Sequence, residues 1–183
     1  MSTRIAALLL ILFGSVTAAF TQNTSESKIV RVAAVTFERP RVTFTPSPAE
    51  IKSAEREIFD LINKKRAEAG LEALRWSDDL AVLAREHSDD MAEFKYFSHK
   101  GNDGTMVDDR ADKLGISNWS GIGENIAFAR GFDDASACAV DQWMKSPAHR
   151  QNLLDKRWKE TGIGVAVLPD GTYYFTQVFL LRN

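Results

Sequence analysis

The strongest constraint on this fold is a mismatch: a beginning that reads as an export signal stands ahead of a chain with one cysteine. Arg4 and the amino terminus give a short positive region, and Ile5 to Phe13 is an unbroken run of apolar residues. Gly14-Ser15-Val16-Thr17-Ala18-Ala19 then supplies small residues suited to cleavage near Ala18 or Ala19. The run is too short to span a bilayer comfortably. The expectation is therefore a signal peptide over residues 1–19, no transmembrane span in the mature protein, and a secreted, extracellular or periplasmic chain. Small folds outside the cytoplasm often depend on disulfides. Cys138 alone cannot form one within the chain, so packing has to hold this fold together. Its surroundings, Ala135-Ser136-Ala137-Cys138-Ala139-Val140, mark it as a buried small hydrophobe rather than a reactive thiol. With 183 residues, 44% of them hydrophobic, the chain is long enough for one well-filled core. A net charge of −2 gives no reason to expect nucleic acid or an anionic membrane as partner.

Residues 20–47 read as a flexible or extended N-terminal segment, polar at first and then β-type until Pro40 interrupts it. From Ser47 the texture becomes helical. Ile51, Ala54, Ile58, Leu61, Ile62 and Ala69 recur at helical spacing, and Gly70 is a natural stop. Ser77-Asp78-Asp79 caps a second helix reaching about Tyr96, with Leu80, Leu83, Ala84, His87, Met91 and Phe94 on its apolar stripe. A short helix within Thr105 to Leu114 ends at Gly115. Gly121 to Phe128 reads as a glycine-rich start to a short apolar segment. Helices follow from about Asp133 to Lys145 and at "SPAH" (Ser146 to His149), where Ser146 is placed to cap as Ser47 does in "SPAE". The chain closes on a hairpin, Gly162 to Leu168 and Thr172 to Leu181, about a Pro169-Asp170-Gly171 turn. Helices around a small antiparallel sheet give an α+β fold.

The candidate chemistry is sparse, with only His87, His99 and His149 as histidines. No HExxH, G-x-S-x-G or P-loop is present. His87 sits on an apolar stripe and reads as a core histidine bonded to a backbone carbonyl. His99 follows an aromatic cluster and belongs either to a surface loop or to a cleft wall. Glu124 stands between Gly123 and an apolar run, where a carboxylate must be paired, liganded or bonded to backbone N–H groups at a helix start. His149 replaces the capping acid of the earlier cassette, Glu50. At a helix N-terminus its pKa is expected to fall, leaving a neutral ring fit to ligate a metal or accept a hydrogen bond. Together His99, Glu124 and His149 offer two nitrogens and an oxygen for a divalent cation, although 25 positions separate each neighbouring pair.

Three ordered stretches, "HSDDMAEFKYFSH", "GENIAFA" and "WMKSPAHRQNLLDKRWKETGIGVAV", resemble the bacterial branch of the CAP superfamily. That superfamily comprises cysteine-rich secretory proteins, antigen 5 and pathogenesis-related 1 proteins, also called SCP-domain proteins. The resemblance implies a CAP domain over residues 48–183 and a three-layer α-β-α sandwich with a small antiparallel sheet. It also implies a central cleft in which many members set two histidines and two acids, some of them binding zinc or another divalent ion. His99, Glu124 and His149 match three of those positions; the second acid and the disulfides of eukaryotic members have no match.

The function expected is that of a secreted, monomeric, non-enzymatic module. Its groove would bind a lipid, a peptide, or a cell-envelope or host ligand, with a divalent ion helping to order it. The alternatives are a metal-dependent hydrolase or protease, with Glu124 as ligand or base, and a purely structural envelope module.

Overall fold

A computed structural model describes residues 45–183; the expected signal peptide and the N-terminal segment up to residue 44 lie outside the described residues. In chain order the elements are α1 (Pro48–Glu68), β1 (Arg75–Trp76), α2 (Asp78–Phe94), α3 (Val107–Lys113), β2 (Trp119–Arg130), α4 (Ala135–Lys145), α5 (Pro147–Leu153), β3 (Glu160–Val167) and β4 (Thr172–Arg182).

Local chemistry sets the helix ends. The Ser47 hydroxyl accepts from the Glu50 N–H, and the Glu50 carboxylate accepts from the Ser47 N–H at 2.7 Å, a complete capping box. Gly70, at φ +72°, follows the last turn of α1. The second cassette departs from expectation. Ser146 makes no side-chain cap to α5. Its N–H donates to Gln142 O and its carbonyl accepts from Arg150 N, so one residue closes α4 and opens α5. Loss of the hydroxyl should therefore matter at one site only. Ser47→Ala is expected to lower stability by about 1 kcal/mol in urea unfolding, and Ser146→Ala to leave the midpoint unmoved.

The sheet order is β1-β3-β4-β2. The hairpin forms as the sequence predicts, β3 antiparallel to β4, with Gly171 at φ +80° in the turn. Two features differ from expectation. The sheet is mixed, because Arg75-Trp76 lies parallel to Glu160-Thr161. The stretch from Gly121 to Phe128 is part of a twelve-residue strand, β2, paired antiparallel along β4. Glycines usually weaken a strand, but here they admit an indole: a Cβ on Gly123 would lie 2.9 Å from a ring carbon of Trp158.

Each face of the sheet carries its own core, which gives the three α-β-α layers. On one face Leu80, Leu83 and Ala84 of α2 and Ala111 of α3 meet Val178 and Leu180. On the other, Ile58 and Ile62 of α1, Trp143 of α4 and Leu153 of α5 pack on Ile163, Phe175 and Phe179. Cys138, expected to be buried, is only half-buried and packs at the edge of this second core. Buried Arg66 of α1 donates from Nε to Glu72 O at 2.9 Å. From NH1 it donates to Leu153 O and Asp155 O at 2.9 and 3.0 Å, so it fastens the end of α5 to α1.

Candidate functional site

β2 is an outer strand of the sheet, and the three candidate residues gather beside it. Glu124 projects from its middle, His99 comes from the loop after α2, and His149 sits in the first turn of α5. His99 Nδ1 lies 2.8 Å from Glu124 Oε1. A carboxylate only accepts, so Nδ1–H is the donor, and in the matching uncharged tautomer Nε2 is the acceptor nitrogen. The His99 and His149 rings are 6.2 Å apart between centroids, tilted by 44°. Asn125 and Asn152 fix the approach of α5: Asn125 Nδ2 donates to His149 O at 3.1 Å, and Asn152 Nδ2 donates to Asn125 Oδ1 at 3.1 Å. Sequence spacing had left these contacts invisible.

Glu124 is neither a helix cap nor a bare buried charge. Its side chain is 4% exposed, and Oε2 accepts from Arg110 NH2 at 2.6 Å. The guanidinium is held in turn by two carbonyls, NH1 donating to Thr105 O at 2.9 Å and to His99 O at 3.2 Å. Arg110 was absent from the sequence reading. In "DDRADK" it resembles any charge on a short solvated helix, and only its partner 14 residues ahead gives it meaning.

His87 behaves as a core histidine. Its Nε2–H donates to Ser98 O at 3.0 Å, and the same nitrogen stands 3.8 Å from Glu124 Oε1. Nδ1 is buried without a hydrogen-bond partner among the described residues. Burial lowers the His87 pKa against the pull of Glu124, with Arg110 lowering it further, so the ring is neutral at physiological pH. The His149 pKa is lowered as expected, but the physical cause is first burial and then the neighbouring His99, not the helix start. On the same face of β2 as Glu124, Phe128 meets Phe97 edge to face at 5.1 Å. Both rings are about half exposed, at 50% and 46%.

Two imidazoles, one committed carboxylate and an exposed aromatic pair thus line this edge. Among the described residues no three His, Cys, Asp or Glu side chains are grouped so as to hold a metal ion. His99 and His149 approach each other, but Glu124 spends its oxygens on His99 and Arg110.

Residues 59–179 match the model of the CAP family, described as the cysteine-rich secretory protein family. The uncharacterized membrane protein YlbC of Bacillus subtilis is 38% identical over 130 residues, which cover 71% of this chain and 35% of that protein. The uncharacterized protein YkwD of Bacillus subtilis is 32% identical over 163 residues, covering 89% of this chain and 58% of that one. This chain therefore spans less than two thirds of either relative. An extracellular SCP-domain protein from Bacillus anthracis superposes with a TM-score of 0.65 at 29% identity, over 76% of this chain and 45% of that one.

Proposed function

The chain belongs to the CAP, or cysteine-rich secretory protein, family, and from that premise we propose that it is a secreted, non-enzymatic binding module. Its surface at the outer edge of β2 takes a lipid, peptide or cell-envelope ligand. One observation carries this reading: the carboxylate best placed to act as a base is already spoken for. Glu124 accepts from His99 on one oxygen and from Arg110 on the other, and it is almost wholly buried. Held on both oxygens and closed off from solvent, it offers little room for a water molecule to be activated against it. That weighs against the hydrolase alternative, in which Glu124 activates water. What remains open to solvent suits contact rather than reaction: the ring of His99 and the Phe97–Phe128 pair. Two exposed rings in mutual contact offer a partner a rigid apolar surface.

Among the described residues no helix is long and apolar enough to cross a membrane, which is compatible with release from the cell. The test uses the purified chain with two probes, isolated cell-envelope material and phosphatidylglycerol vesicles. Saturable binding to one of them, weakened at least tenfold by the double variant Phe97→Ala/Phe128→Ala with the fold intact, is the expected result. Turnover of a peptide or ester substrate that disappears in Glu124→Gln would defeat the proposal.

A further inference from the structure

Arg110 has a role that the binding reading leaves unexplained. We propose that its guanidinium supplies, from inside the fold, the positive charge that a bound divalent cation would otherwise bring to Glu124, and that it thereby keeps such a cation out of the cleft.

The geometry is that of a built pair rather than a chance surface contact. Arg110 NH2 stands 2.6 Å from Glu124 Oε2, with side chains only 11% and 4% exposed. Two carbonyls hold the other arm, His99 O and Thr105 O. The guanidinium therefore spans the loop that bears one histidine and the strand that bears the carboxylate. Its own helix is fixed as well. Ala111 beside it is fully buried, and the Asp109 carboxylate accepts from Met106 N at 2.9 Å at the start of α3. Arginine suits this duty: it keeps its charge and offers a planar fork of donors, where lysine offers a point charge.

A divalent ion has little to gain here. Each Glu124 oxygen retains a second lone pair, so the carboxylate is not saturated in the strict sense. An ion reaching it would nevertheless sit within a few ångströms of a fixed guanidinium, in a buried setting where water and salt screen poorly. The remaining candidates are His99 Nε2 and the His149 ring, two nitrogens where a stable zinc site ordinarily has three or more protein ligands. In metal centres a carboxylate behind a histidine commonly orients that ring toward the ion. Here Glu124 orients His99 in the same way, while its charge is balanced by Arg110. The pairing of acid and histidine is retained without an ion to serve.

This inference shares the Arg110–Glu124 pair with the proposed function but not its ligand, so zinc binding decides the one while envelope or vesicle binding lost in Phe97→Ala/Phe128→Ala decides the other. The test is calorimetric titration of the full chain with zinc chloride, beside thermal unfolding of the same samples. The wild type is expected to show no one-to-one zinc binding at micromolar concentration. Arg110→Met should bind zinc at least tenfold more tightly, and adding Glu124→Gln should abolish the gain. Stoichiometric micromolar zinc in the wild type, or no gain in Arg110→Met, overturns the proposal. Should Arg110→Met fold poorly, the unfolding midpoints decide. Arg110→Met/Glu124→Gln should be more stable than Arg110→Met alone, because the orphaned carboxylate is gone. Simple addition of the two losses would overturn the idea.

Discussion

Gly164→Ala is expected to destabilise the fold by about 3 kcal/mol or more, at or beyond the usual upper end for overpacking. The reason is the closeness of α2 to β3. A Cβ on Gly164 would lie 2.2 Å from both Ala84 C and Arg85 N and 2.5 Å from Ala84 O. All three are backbone atoms of a helix whose apolar face, Leu80, Leu83 and Ala84, is locked in the core, so no rotamer change can make room. The helix must lift from the sheet. Gly162, against Leu80 and Ala81, makes the same contact one turn earlier. For a chain of this length the loss corresponds to a fall of roughly 6–12 °C in the melting midpoint. Gly70→Ala is the control. Gly70 has φ +72° but no atom within 4 Å of a built Cβ, so only backbone strain is added, about 1 kcal/mol. If the two variants melted together, the close approach of α2 to β3 would be wrong.

Trp143→Ala should be of similar size, about 3–5 kcal/mol. The indole is fully buried between α1, α4 and the sheet, and its Nε1–H donates to Ile126 O at 2.9 Å. Truncation leaves both a large void and an orphaned carbonyl two residues from Glu124. Trp143→Phe separates the two effects, since a ring still fills most of the space. It should cost about 1–3 kcal/mol, the price of leaving one buried acceptor unsatisfied. A loss below about 1 kcal/mol for Trp143→Ala, read from urea unfolding at constant m value, would mean that α4 is not anchored on β2 as described.

Most of this fold was legible where its determinants are local. Helical periodicity placed α1 and α2, the Ser47 and Ser77 caps fixed their starts, and Pro169-Asp170-Gly171 gave the final hairpin. Legibility failed where a residue serves a distant neighbour. Gly121 and Gly123 read only as a glycine-rich start, because their purpose, room for Trp158, lies 35 and more residues away. β1 is two residues long and exists only because β3 lies beside it. The same division holds in the cleft. His87 was readable as a core histidine from its stripe, and the resemblance to CAP proteins supplied His99, Glu124 and His149 as companions. The ring pair and the His99–Glu124 bond bring those three together, but nothing in a short acidic helix distinguishes Arg110 as the partner of Glu124.

The fastening of α5 has a consequence for motion. A seven-residue helix has almost no stability of its own, so left free it would open and close continually. Arg66 holds its end to α1, and Asn125 holds His149 O to β2. Opening of α5 is therefore tied to release of those neighbours, and its amides should exchange more slowly than those of a free helix of the same length. A ligand approaching His149 therefore meets a helix that is already seated, with no ordering step to oppose binding.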